Sequence, residues 1–262
     1  MKKTKHSALR WVLVTEANRA VSGALVRVGA GTIRQLRKVL RMEWGDEVNV
    51  LDGGGRAFQA KLVEQADSGA FELGLLIKNV DRPPLTELVV FLPKNSTMDW
   101  IVEKAVECGV TKITPVVSRH SVVKPDYSET EKYVHRWQAI MDGALEQSEQ
   151  LWRAEINPPQ PFEKWIETQS QTSSLFVFAS ELRRELVPLT EQSALAQAWQ
   201  ALDTVKKSQV GLVVGPEGGF SYDERQALMR IGCKELSLGP TVLRVETAVV
   251  FILALLRMRR AV

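Results

Sequence analysis

The chain is sparing in residues that staple a fold, hold a metal or cross a membrane. Its 262 residues include two cysteines, Cys108 and Cys233, and three histidines. The cysteines form no C-x-x-C pair and have no histidines at ligand spacing, which argues against a zinc site or a disulfide framework. No metal is expected, and two small thiols fit a reduced, cytoplasmic setting. No apolar stretch is long. The longest, Ala248 to Leu256, is less than half of the roughly 20 residues that span a bilayer, so no membrane partner is expected. The N-terminal MKKTKHSALRWVLV lacks the apolar core of a secretory signal. An excess of one charge is missing too: the formal net charge is +3, too little to announce a nucleic-acid partner. Two nucleotide fingerprints are also absent. There is no Gly-Lys-Ser/Thr of a P-loop, and no G-x-G-x-x-G followed by an acid about 20 positions later. We find no internal repeat and no low-complexity segment.

What is present reads as an ordinary globular chain, 45% hydrophobic and 25% charged, long enough for two domains. Residues 1–80 look mostly β. Short alternating runs at 11–15, 24–28, 47–52, 57–64 and 70–78 are divided by turn signals such as Asp52-Gly53-Gly54-Gly55. One helix interrupts them. Ile33, Leu36, Val39 and Leu40 recur at helical spacing and leave Arg34, Arg37, Lys38 and Arg41 on the remaining surface. A small barrel with one basic helix is expected. Residues 81–86, with Pro83-Pro84, read as a linker. From 87 to 262 the pattern turns to alternating strands and helices, which predicts an α/β domain with a largely parallel sheet. Strands are expected at 87–93, 112–118, 174–180, 209–215 and 235–239. Helices are expected at 98–108, 129–147, 222–231 and 244–259.

Two stretches carry the chemistry. In the first, an apolar strand ends in Gly215-Pro216-Glu217-Gly218-Gly219, and Ser221-Tyr222-Asp223-Glu224 then has the form of a capping box. The glycines bring bare backbone close to whatever lies beyond the strand end, where ligands of open α/β sheets sit. Glu217 would repel a phosphate. An acid beside bare amides suits a ligand with a cationic part and hydrogen-bonding edges, such as S-adenosylmethionine; a glycine-rich turn without a ligand is the plain alternative. In the second stretch, Leu238-Gly239-Pro240 closes a short strand, and Leu243-Arg244-Val245-Glu246-Thr247 opens the last helix. An arginine at a helix start opposes the helix dipole. A salt bridge, a solvated cap or a functional role accounts for it.

GPEGGFSYDE followed by LGPTVLRVETA resembles the signature of the bacterial small-subunit ribosomal RNA uridine-N3 methyltransferases (the RsmE family), members of the knotted SPOUT class. Arg10, KVLRM (38–42), Asp52-Gly53, MDWIVEKAVECGV (98–110), SVVK (121–124), RWQAI (136–140) and EQS (146–148) extend the resemblance over most of the chain. It implies a PUA-like, RNA-binding β-barrel over 1–80 and a SPOUT domain with a deep trefoil knot over 87–262. It implies S-adenosylmethionine held by Gly215, Pro216, Glu217, Gly218, Gly219, Leu238, Gly239, Leu243 and Thr247. It further implies a homodimer acting on a uridine of 16S rRNA in the small subunit. Within that reading, Arg244 is the candidate for stabilising charge on the uracil carbonyls, and Glu246 for positioning substrate or Arg244. Arg10, Arg34, Arg37, Arg41, Lys94 and Lys124 are the candidate RNA contacts, with an ordinary solvated helix face as the alternative for the basic helix. A knotted methyltransferase acting on transfer RNA and a non-catalytic RNA-binding protein remain the rival readings.

Overall fold

The computed structural model describes residues 9–65, 68–118, 125, 127–169, 175–180, 209–238 and 241–261. They divide into two compact units. The first comprises residues 1–82 together with 145–153, and the second comprises 83–144 and 154–262.

In the first unit, β1 (Trp11–Leu13), β2 (Leu25–Val28), β3 (Glu47–Leu51), β4 (Arg56–Gln65) and β5 (Ser68–Asn79) form one sheet in the order β1-β3-β4-β5-β2. β1 pairs with β3 in parallel, and the other pairings are antiparallel. Alternation puts Val26, Val28, Val48, Val50, Phe58, Leu62 and Phe71 into a single core. The predicted helix is present as α1 (Ala30–Arg34), continued by a wider turn over Gln35–Val39 in which the Leu40 amide donates to the Gln35 carbonyl at 3.0 Å. Leu36 is its buried residue, while Arg34, Arg37 and Lys38 are exposed.

A buried charge organises the turn before β4. The Asp52 carboxylate accepts from the Gly54 and Arg56 amides at 2.7 and 2.9 Å and from Arg56 Nε at 2.7 Å. Arg56 also donates to the Ala20 carbonyl at 2.8 Å. The pair is thus satisfied on several sides, as a buried ion pair must be. Residues 145–153 bind to this unit as a strap. The Leu13 amide donates to Glu146 Oε1 at 2.8 Å, Gly55 N to the Leu151 carbonyl at 3.0 Å, Arg153 N to the Gly53 carbonyl at 3.0 Å, and Trp152 Nε1 to the Val80 carbonyl at 3.0 Å.

In the second unit, β6 (Thr86–Phe91), β7 (Lys112–Val117), β8 (Glu155–Ile156), β10 (Leu175–Ser180), β11 (Val210–Val214) and β12 (Lys234–Ser237) follow the order β12-β10-β11-β6-β7-β8, with β9 (Gln160–Pro161) also on β7. Every pairing described is parallel. All of β6 and β11 is buried, which is why these strands read as unbroken apolar runs. The helices are α2 (Asn95–Glu107), α3 (Thr130–Ser148), α4 (Phe162–Gln169), α5 (Tyr222–Arg230) and α6 (Val245–Ala261). α2 starts three residues earlier than the apolar spacing predicts, placing Lys94 at its N-cap. α4 was not expected. It contributes Phe162 and Trp165 to a core with Phe91, Val116, Val213 and Leu228. No helix among the described residues is long and apolar enough to cross a membrane.

Candidate functional site

Because the strands run parallel, the loops leaving their C-terminal ends share one edge of the sheet. Val214 on β11 is level with Ala179 on β10 and Val90 on β6, and Ala179 is level with Leu236 on β12. The Gly215–Gly219 loop, the segment from Leu238 to Thr247 and Lys94 therefore all emerge at that edge.

The first loop is a tight turn. Gly219 N donates to the Pro216 carbonyl at 2.9 Å, and Gly219 lies at φ +75°, a conformation that favours glycine. Gly215 is buried, and a β-carbon on it would meet the Phe220 ring at 3.0 Å. Gly218 and Gly219 differ: a β-carbon on either would meet no atom of the described residues within 4 Å. Their backbone borders space that no described residue fills, and the absence of side chains leaves room there for a ligand. Glu217 is exposed beside them and Pro216 half-buried.

Behind the turn, the Phe220 ring meets Phe91 edge-on at 5.2 Å, and Phe91 meets Phe162 at 5.2 Å. The capping box forms as its spacing predicts. Ser221 N donates to Glu224 Oε2 at 2.9 Å, and Glu224 N to Ser221 Oγ at 3.3 Å. The turn is therefore anchored on its inner side and at its exit.

In the second segment, Leu238 and Leu243 are half-buried, Arg244 and Thr247 exposed and Glu246 half-buried. Ala248 N donates to the Arg244 carbonyl at 2.9 Å, so Arg244 opens α6. Its guanidinium has no ion pair or hydrogen bond among the described residues, Glu246 included. The salt-bridge account of Arg244 thus finds no partner there. Gly239 and Lys124 lie outside the described residues.

Lys94, at the α2 N-cap, is exposed. The remaining candidate RNA contacts belong to the first unit, where Arg10, Arg34, Arg37 and Arg41 are all exposed. Arg37 is partly committed to its own unit. Its Nη1 donates to the Met42 carbonyl at 3.0 Å, and its guanidinium lies 4.6 Å from the Trp44 ring centroid. Arg41 sits at φ +55°, an unusual place for a residue with a β-carbon. Sequence reasoning missed Phe220 and the Arg225–Glu235 ion pair between α5 and β12. Phe220 was detectable as the only aromatic adjoining the glycines. Nothing in the spacing signals Arg225–Glu235.

The RNA methyltransferase domain model matches residues 81–257. The chain belongs to that family. It is 31% identical over 229 residues to ribosomal RNA small subunit methyltransferase E of Mycobacterium bovis, covering 84% of this chain and 78% of the relative. It is 29% identical to the protein of the same name from Synechocystis, over 86% of this chain and 70% of that one. The fold matches the crystal structure of a ribosomal RNA small subunit methyltransferase E from Neisseria gonorrhoeae bound to S-adenosyl methionine, with a TM-score of 0.75 and 24% identity, covering 95% of this chain and 97% of that one.

Proposed function

We propose that this RNA methyltransferase moves a methyl group from S-adenosylmethionine to N3 of a uridine in 16S rRNA of the small ribosomal subunit, in the cytoplasm and as a homodimer. The observation that carries the reading is the open space beside Gly218 and Gly219 in a turn held by Phe220 and the capping box. The Gly218 amide can meet a ligand's hydrogen-bonding edge, the Gly219 amide being taken by the Pro216 carbonyl, while Glu217 faces its cationic part. S-adenosylmethionine would supply an electrophilic methyl group on a sulfonium centre. Gly215 to Gly219, Leu238, Gly239, Leu243 and Thr247 are the residues assigned to hold it.

Arg244 is assigned to the substrate. A uracil N3 attacks well only as its proton leaves and charge spreads onto the neighbouring carbonyl oxygens. A guanidinium without a partner among the described residues, brought to that charge, would stabilise it as an oxyanion-type donor does. Glu246, two residues on, positions the base or Arg244. We assign residues 1–80 to a PUA-like RNA-binding domain and 87–262 to a SPOUT domain with a trefoil knot, whose reordered parallel strands are compatible with a β11 that comes late in sequence yet lies beside β6. Arg10, Arg34, Arg41, Lys94 and Lys124 are assigned to RNA phosphates, with Arg37 divided between RNA and Trp44.

The homodimer draws support from α6. Val245, Ala248, Val249, Ile252, Leu253 and Leu256 are buried, whereas Phe251 and Met258 remain 39% and 62% exposed. A helix apolar on both sides has one face left to cover. The deciding experiment is mass-spectrometric mapping of 16S rRNA from a strain lacking this gene, with and without the gene restored. One N3-methyluridine should vanish and return. Unchanged 16S methylation in the deletion strain sinks the proposal.

A further inference from the structure

We infer that the Arg225–Glu235 ion pair is a positioning clamp that sets the spacing between the two loops of the S-adenosylmethionine site, an inference that rests on the cofactor reading above. The glycine turn hangs from β11 and the Leu238–Thr247 segment from β12. These strands are not neighbours: β10 lies between them. Their loops are therefore two strand spacings apart, roughly 9–10 Å, with no ladder of their own to hold them in register.

α5 makes the missing connection. It begins two residues after the Phe220 anchor, where the Ser221–Glu224 capping box ties its first turn to the end of the glycine loop. Arg225 lies one turn into this helix, and its Nε and Nη2 both donate to Glu235 Oε2, at 3.2 and 2.5 Å. Glu235 is on β12, level with Phe178 of β10, and Leu238 follows three residues later. The chain of contacts runs from turn to cap, from Arg225 to Glu235, and from β12 to the loop that ends in Arg244. Two donors converging on one oxygen fix direction as well as distance, which a lysine would not. The pair is only part-covered, with the Arg225 and Glu235 side chains 36% and 15% exposed. A pair this open adds little to global stability. Its effect belongs in the affinity for a ligand gripped by both loops.

The test is calorimetric titration of S-adenosylmethionine into the full-length protein, with hydrogen exchange as a structural control. Arg225→Ala and Glu235→Gln should each weaken binding about 3–10-fold, in the lower part of the range of couplings between residues in contact. The doubly swapped variant, Arg225→Glu with Glu235→Arg, should recover most of that loss. Single-turnover methylation at saturating cofactor should fall by less than the affinity does. Exchange in β6 and β11 should stay at the wild-type level, showing that the core is intact. The amides of 217–220 and 241–247 should exchange faster in the single variants. Wild-type affinity in both single variants overturns the clamp, as does a loss the swap does not recover or a core that loosens in step with the affinity. A wild-type protein that binds no S-adenosylmethionine overturns the cofactor reading itself, and the clamp with it.

Discussion

Gly219 closes the turn from Pro216 at φ +75°, and the space where its side chain would be holds no atom of the described residues within 4 Å. Two different costs follow from a side chain there. Alanine mainly strains the backbone, by about 1–2 kcal/mol. Valine adds bulk to the space assigned to the cofactor. Gly219→Val should therefore still fold, with a lowered melting temperature, and lose calorimetric binding of S-adenosylmethionine. Binding at wild-type affinity would show that the turn does not border the ligand.

Arg244→Ala should behave in the opposite way. Cofactor affinity should stay within a few-fold while single-turnover methylation of small subunits drops by roughly 10²–10³, as for removal of one oxyanion-type donor. Lysine should rescue only in part, since it keeps the charge and loses the fork. A wild-type rate in Arg244→Ala would make this arginine structural.

Cys233 carries a different prediction. Burial in the second unit's core pushes its thiol up from 9.0 to about 12. Between those values the unfolded chain releases this proton and the folded chain keeps it, so its contribution is fully present below pH 9 and lost as pH rises toward 12. Urea midpoints should fall less steeply over that window in Cys233→Ala than in the wild type. Parallel curves would count against the burial of this thiol.

Among the elements, α5 and the basic α1 make the most specific demands. In Ser221→Ala the capping box loses one of its two hydrogen bonds, at a cost of about 0.5–2 kcal/mol, and the exit of the glycine turn loosens with it. For α1 and the segment after it, replacing Arg34 and Arg41 together should reduce the slope of log binding constant against log salt by about 0.7–0.9 per lost phosphate contact. Cofactor affinity should not change. An unaltered slope would return α1 to an ordinary solvated face. Arg37→Ala should lower stability as well, because its bond to Met42 and its place over Trp44 go with it.

The same elements show what a sequence can reveal. Strands such as β6 and β11 were plain because burial on both faces demands unbroken apolar runs, and the capping box because its geometry is local. α4 was not, since its eight-odd residues bury only Phe162 and Trp165 and leave too short a period to detect. The placing of β11 between β6 and β10 was equally hidden: pairing order is decided by contacts across the whole unit. The two loops were legible because glycine and proline restrict backbone locally. The ion pair that joins α5 to β12 depends on tertiary distance and left no trace.

For the whole molecule, the linker at Pro83-Pro84 suggests a simple division into two segments, and the contacts divide it otherwise. Residues 145–153 belong with the first unit. A β-carbon on Gly55, at φ +100°, would come within 2.5 Å of the Val80 carbonyl and 2.7 Å of the Trp152 ring. Trp152→Ala should therefore destabilise the first unit by roughly 1–3 kcal/mol, visible as faster hydrogen exchange in β3 and β4. Unchanged exchange there would show the strap to be incidental. Light scattering should give about twice the 29.3 kDa chain mass if α6 is covered by a second copy. A monomer active on ribosomal subunits would end that reading.

The strap also bears on heredity. A recombination event that carried residues 1–82 into another gene would leave behind the tryptophan that this sheet is shaped to receive. The unit travels between lineages at full stability only with both of its segments. Gly55 and Trp152, nearly a hundred positions apart, do not vary alike: at φ +100°, with the Val80 carbonyl 2.5 Å from where a β-carbon would stand, the first admits no side chain even where the second has become smaller, and descendants of this gene should keep the glycine whatever becomes of the tryptophan.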